Sequence, residues 1–118
     1  MIGIYRPVKI SKEMVAASTM PLVLAILERG ENYGYAIIQQ VRELSDDEIE
    51  WAEGMLYPLL HWLEERKLVK SDWRKAESGR ERKYYSITAA GRKALAGSRT
   101  EWETVNATLQ RAWKLRHA

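Results

Sequence analysis

The chain contains no cysteine. Disulfides and thiolate metal sites are therefore excluded, and the reducing cytoplasm is the simplest setting. No apolar run approaches the ~20 residues that span a bilayer, so no membrane partner is expected. Met1–Ile10 carries Arg6 and Lys9 but no apolar stretch of the kind a signal peptide needs. Histidines number only two, His61 and His117. There is no glycine-rich phosphate cradle and no metal-ligand spacing, so neither a cofactor nor a metal is expected. Glu64 and Glu65 are neighbours on a predicted helix and point in different directions, which makes them a poor acid–base pair. An enzyme is thus disfavoured. Internal repeats and low-complexity segments are also absent.

With 118 residues the chain makes one domain-sized body. A chain of this size buries roughly two-thirds of its unfolded surface, enough for a core without staples. Net charge is +3 and the sequence pI is about 9.2. The distribution says more than the total. Arg74–Lys83 holds five bases against two acids, whereas Glu43–Glu53 holds six acids and no base. A polyanion would approach the first stretch and avoid the second.

The organising segment is Glu50–Lys67. Leu56, Leu59, Leu60 and Leu63 fall at i, i+3, i+4 and i+7, one leucine stripe on an α-helix. Glu53, Tyr57, His61, Glu64 and Glu65 occupy the other side. Leu68–Trp73 then reads as a strand, Arg74–Glu81 as a polar loop and Arg82–Ile87 as a second strand. A helix leading into a hairpin with a basic tip describes a winged helix. A buried helix beside an ordinary hairpin is the plainer alternative.

Upstream, Ser11 is positioned to cap a helix from Lys12. Pro21 should kink that helix or force a restart at Thr19. Leu22–Leu27 is apolar all round and should be buried on more than one side; Gly30 suits the residue after the helix end. Tyr33–Leu44 is a second helix with Asn32 as its cap and Ile37, Val41 and Leu44 as its stripe. Pro58 should bend the third helix or lie near its first turns.

Thr88 can cap a last helix running to about Lys114, which at ~1.5 Å per residue is ~40 Å long. A compact 100-residue body has a radius of gyration near ~13 Å, so this helix cannot lie wholly on its own domain. Leu95, Trp102, Val105, Leu109 and Trp113 nonetheless form a near-heptad stripe. The direct solution is the same helix from a second copy, although the tryptophans folding back onto their own core is another. The expected fold is mainly α with a small β hairpin, that is α+β. It comprises a flexible arm over 1–11, a winged helix-turn-helix DNA-binding domain over 12–88 and a dimerisation helix over 89–118.

In a winged helix the amino-terminal half of the third helix enters the major groove. Here that half offers Glu53, Gly54, Tyr57 and His61. Arg80, Arg82 and Lys83 would meet phosphates or a minor groove, giving affinity and salt dependence. Tyr33 and Gln39 are candidates for backbone contacts.

Tyr33–Gly34–Tyr35 with Ile37–Ile38, Leu56–Tyr57–Pro58–Leu59–Leu60, Leu63–Glu64–Glu65, Gly79–Arg80, Arg82–Lys83–Tyr84–Tyr85 and Ile87–Thr88–Ala89–Ala90–Gly91 stand in an order that resembles the PadR family of transcriptional regulators. The likeness runs from about Lys12 to Trp113, and the length resembles the family's short members, especially its multidrug-binding branch. It implies a homodimeric repressor whose last helix packs against the partner's first. For that branch it implies a central pore where paired tryptophans stack a planar aromatic compound. Trp102 would hold that place, with Met14, Ala17, Pro21, Ser98, Val105 and Asn106 around it. Stacking on an indole suits planar aromatic rings. Four residues depart from the pattern. Lys67 stands where glycine is usual, Ala52 where a capping serine or asparagine is common, Pro21 in the first helix, and Asn106 in place of an acid. Two other readings stay open: a winged-helix protein-interaction module without DNA binding, suggested by the acidic Glu43–Glu53, and a DNA-binding regulator with no effector.

Overall fold

Residues 9–115 are described by a computed structural model. The elements are α1 (Lys12–Glu28), β1 (Asn32–Tyr33), α2 (Gly34–Leu44), α3 (Glu53–Glu65), β2 (Val69–Lys75), β3 (Glu81–Ile87) and α4 (Ala89–Lys114). This is the expected α+β winged-helix arrangement. The expected arm over 1–11 falls mostly on residues outside those described.

Ser11 caps α1, its hydroxyl oxygen accepting the Met14 N–H at 3.2 Å. Of the two outcomes expected at Pro21, the restart does not occur; α1 runs through it. Thr19 starts no new helix, because its hydroxyl donates back to the Ala16 carbonyl, as the Ser18 hydroxyl does to Val15, each at 2.9 Å. Burial outweighs the one lost backbone bond: Val23, Leu24, Ile26 and Leu27 are all buried and pin the carboxy-terminal half in the core.

The second helix begins one residue late, and Asn32 is not its cap. Asn32 and Tyr33 instead form β1, which pairs antiparallel with β3, Asn32 opposite Tyr85 and Tyr33 opposite Tyr84. The sheet therefore has three strands in the order β1-β3-β2. Ile37, Ile38 and Val41 are buried as expected, but Leu44 is exposed at the helix end.

The acidic connector folds locally. Arg42 pairs with Asp47 at 3.7 Å and with Glu50 at 3.4 Å, and the Ser45 hydroxyl oxygen accepts the Ile49 N–H. Trp51 is buried in the core with no hydrogen-bond partner for its Nε1 among the described residues. That anchor explains why α3 starts at Glu53 rather than Glu50. Residue Ala52 stays extended at the helix start and offers no side-chain cap. Leu56, Leu60 and Leu63 are fully buried, and Leu59 packs at the margin. Pro58 is accommodated in the second turn.

At the end of α3 the chain reverses without glycine. Lys67 takes a positive φ of 61°. Its N–H donates to Glu64 and that of Leu68 donates to Leu63, the paired bonds of a Schellman motif. The hairpin strands each run further toward the tip than expected, leaving only Ala76–Arg80 as the turn, closed by Ala76 N–H to Arg80 at 2.8 Å.

Thr88 caps α4, accepting the Gly91 N–H at 3.0 Å while its own hydroxyl donates to the Lys67 carbonyl at 2.7 Å. A Cβ on Gly91 would lie 2.1 Å from the Leu68 carbonyl oxygen, so only glycine lets α4 leave the sheet this closely. The root of α4 is thus fastened to the end of α3. Leu95, expected on the dimer stripe, is only 3% exposed and belongs to the core of its own chain. Its helical position faces α1 because α4 is still lying on the domain there. Past the half-buried Trp102 every described residue is exposed, and Val105, Leu109 and Trp113 project at 52%, 43% and 58% exposure. The radius of gyration is 17.2 Å, against ~13.5 Å for a compact chain of this length.

The left-handed Lys67 is a testable cost. Lys67→Gly should raise stability by about 1 kcal/mol, the strain of a side chain in that conformation less the entropy glycine brings. Thermal melting of both proteins at equal concentration should show a rise of roughly 4–8 °C.

Candidate nucleic-acid interface

A cleft of about 650 Å³ opens between the starts of α2 and α3 and the hairpin. Six of the nine residues expected to meet DNA line it: Tyr33, Glu53, Tyr57, Arg80, Arg82 and Lys83. Gly54, Gln39 and His61 do not. His61 lies further along α3 with Glu65 at 3.7 Å, and Gln39 is exposed on α2.

The ring of Tyr57 lies against the backbone of Gly34. A Cβ there would sit 2.7–2.9 Å from the hydroxyl and two ring carbons of Tyr57. Glycine at the first position of α2 therefore sets where the Tyr57 ring rests. The residue as a whole stays partly exposed at the mouth of the cleft.

The hairpin has two chemically distinct faces. Register places Trp73 opposite Lys83 and Ser71 opposite Tyr85, so these four share the face toward α3. Glu64 of α3 holds that face, accepting the Ser71 hydroxyl at 2.5 Å and lying 3.7 Å from the Lys83 ammonium. The other face carries Asp72, Arg74, Arg82 and Tyr84. Arg74 makes a two-pronged pair with Glu31 and lies over the Tyr84 ring at 5.0 Å. Arg82 lies over Tyr33 at 4.3 Å, and Tyr33 meets Tyr84 edge-on at 5.4 Å. The hydrogen bonds from Arg74 hold the Glu31 carboxyl below its usual range. Their stabilisation is therefore present at neutral pH and is lost only as pH falls through that lowered value.

The three bases are thus not equivalent. Lys83 is half-buried and tied to Glu64. Arg82 is oriented by Tyr33. Arg80, at the tip, is exposed and makes no ion pair among the described residues, although Glu81 beside it lines the same cleft. Sequence reasoning passed over Tyr35, Trp73 and Tyr85, which also line the cleft. Trp73 is 65% exposed on the hairpin. The sequence reads Leu68–Trp73 as a strand, but a strand pattern does not show whether the indole at its end is covered.

A second, shallower apolar groove of about 300 Å³ runs between α1 and α4, lined by Ser18, Pro21, Leu22, Ala25, Leu95, Arg99, Trp102 and Glu103. Only Pro21 and Trp102 of the residues expected around a ligand are in it. Met14, Ala17, Val105 and Asn106 are exposed outside it, and Ser98 is buried between the helices. One chain therefore does not assemble the expected pocket. Among the described residues no helix is long and apolar enough to cross a membrane.

The family model described as the transcriptional regulator PadR-like family matches residues 23–97. A transcriptional regulator from Clostridium thermocellum superposes with a TM-score of 0.77 at 27% identity, covering 85% of this chain and 97% of that one. A PadR family regulator from Clostridium difficile gives 0.73 at 32% identity, covering 81% and 98%. The transcriptional regulator YqjI of Escherichia coli is 29% identical over 84 residues, 71% of this chain but 39% of its own length.

The two helix-start glycines separate fit from freedom. Gly34→Ala should shift the ring resonances of Tyr57 in a proton spectrum. Gly54→Ala, whose Cβ meets nothing within 4 Å, should leave them in place. Unmoved Tyr57 signals in Gly34→Ala would refute the seat.

Proposed function

The chain belongs to the PadR-like family of transcriptional regulators, and from that premise we propose that it represses transcription by binding operator DNA as a homodimer. In this reading residues 12–88 form the reading head and residues 89–118 the pairing arm. The amino-terminal half of α3 presents Glu53, Gly54 and Tyr57 to the major groove. Arg80 and Arg82 grip phosphates or the adjacent minor groove. Those contacts fix register and give salt dependence, while the base edges supply the choice of sequence.

The observation that carries the DNA reading is the cleft itself. It gathers the first turns of α2 and α3, the seated Tyr57 and the exposed Arg80 on one side of the molecule. The acidic connector, which would repel a polyanion, contributes only Glu53 to that cleft. The pairing reading rests on Val105, Leu109 and Trp113. Leaving them in water costs about 25 cal/mol per Å² of apolar area, and a second α4 removes that cost.

We further read the Trp102 groove as half of an effector site, completed by the second copy, in the manner of the family's multidrug-binding branch. The half-buried indole beside Pro21, Leu22 and Ala25 suits a planar aromatic ring. A neutral Asn106 gives no particular preference for cations. Such a compound acts by favouring one separation of the two α3 helices, and its effect is bounded by its differential affinity for the two arrangements.

Fluorescence anisotropy with duplex DNA across a salt series tests the DNA reading. Replacing Arg80 and Arg82 together by alanine should weaken binding and flatten the salt slope by about 1.8, two phosphate contacts' worth. An unchanged slope would remove the wing from the contact surface. Planar aromatic dyes should quench tryptophan emission in the parent and much less in Trp102→Ala; equal quenching in both would count against the effector site.

A further inference from the structure

We propose that Glu31 and Arg74 are positioning residues for DNA recognition: their pair straps the back of the sheet and holds the wing at a set angle to α3. The inference rests on the DNA-binding reading above and concerns residues outside the contact surface. Neither Glu31 nor Arg74 lines the cleft.

The topology leaves the outer part of the wing to be held by side chains. Val69, Tyr85 and Ile87 fix the root of the hairpin in the core, and in the order β1-β3-β2 the edge strand β1 adds only Asn32 and Tyr33 to the ladder. So short an edge strand is a weak hinge. Glu31 precedes β1 on one edge and Arg74 sits on β2 at the other edge, 43 residues away in sequence. Their side chains therefore meet across the width of β3. The bond is two-pronged, which fixes orientation as well as distance. Arg74 also has Asp72 Oδ2 at 3.4 Å from its Nε.

The strap continues as a stack. The Arg74 guanidinium lies over Tyr84, Tyr84 meets Tyr33 edge-on, and Arg82 lies over Tyr33. The angle set at Arg74 is thereby passed to Arg82, a base in the cleft. On the opposite face Glu64 of α3 holds Ser71 and Lys83. The wing is guyed from both sides, and loss of the Glu31–Arg74 pair leaves its back face held by the two-residue β1 ladder and the tyrosine contacts alone. By charge count Arg74 belongs with the wing's phosphate binders. The geometry assigns it otherwise, because its donors are occupied by two acids.

The sign of one substitution separates positioning from electrostatics. Glu31→Gln removes a negative charge and frees Arg74. If Arg74 served as a phosphate contact, this variant would bind duplex DNA more tightly. The strap predicts weaker binding, by roughly two- to fivefold, with the salt slope of the parent retained. The double exchange Glu31→Arg with Arg74→Glu should recover most of the loss, since it keeps the total charge and restores the pair. Hydrogen exchange of the β2–β3 amides without DNA gives an independent readout and should quicken in Glu31→Gln. Tighter DNA binding, or hydrogen exchange identical to the parent's, overturns the proposal. If the parent binds no duplex DNA the regulator reading fails instead, and the exchange rates alone decide whether the strap exists.

Discussion

A helix of 26 residues is about 39 Å long, and the body from which α4 leaves is too small to cover it. Its first turns are spent inside the domain, where Gly91, Leu95 and Ser98 are buried. The remainder carries an apolar stripe into solvent. Much else in the reading depends on how that stripe is satisfied. If a second α4 covers it, the distance between two reading helices is set by rigid geometry. Without such a partner there is neither a shared effector site nor a fixed half-site spacing.

In the proposed dimer, the end of α3 is the joint through which this constraint would reach DNA. Leu68 follows α3, and its carbonyl accepts the Thr88 N–H at 3.1 Å where α4 begins. Gly91 then lies directly on that same carbonyl. The end of α3, the base of the hairpin and the start of α4 thus meet within a few residues, with Lys67 strained into a left-handed turn at the centre. Joints this close leave little slack. A change in the angle between two α4 helices would be transmitted to α3 rather than absorbed, which is what a two-state effector mechanism requires.

The main helices and the hairpin were legible because their signals are periodic and local. The leucine stripe of α3, the capping Ser11 and Thr88, and the exposed end of α4 all follow from residue spacing. What was not legible depended on partners distant in sequence. Two residues at Asn32–Tyr33 carry no strand pattern; they are a strand only because β3 passes beside them. Pro21 left a restart at Thr19 open, but the helix continues, held by burial that the local rule does not count. Leu95 read as part of a pairing stripe because periodicity gives a face and not its neighbour. The Tyr57 seat on Gly34 and the Glu31–Arg74 strap were invisible for the same reason. Six of the residues expected to meet DNA line one cleft, a grouping that spacing alone does not give, and the exposed Trp73 beside them was not singled out because local pattern does not tell what covers a strand.

The chain's lack of cysteine provides a clean distance measurement. A spin label on Gly54→Cys, where the backbone faces open space, marks the start of each reading helix. Dipolar spectroscopy at micromolar concentration should give one inter-label distance near ~34 Å, the separation of successive major grooves on one face of a duplex. Absence of any inter-label coupling would show a single copy in solution, and would contradict the account at the point on which its dimer, spacing and effector site all rest.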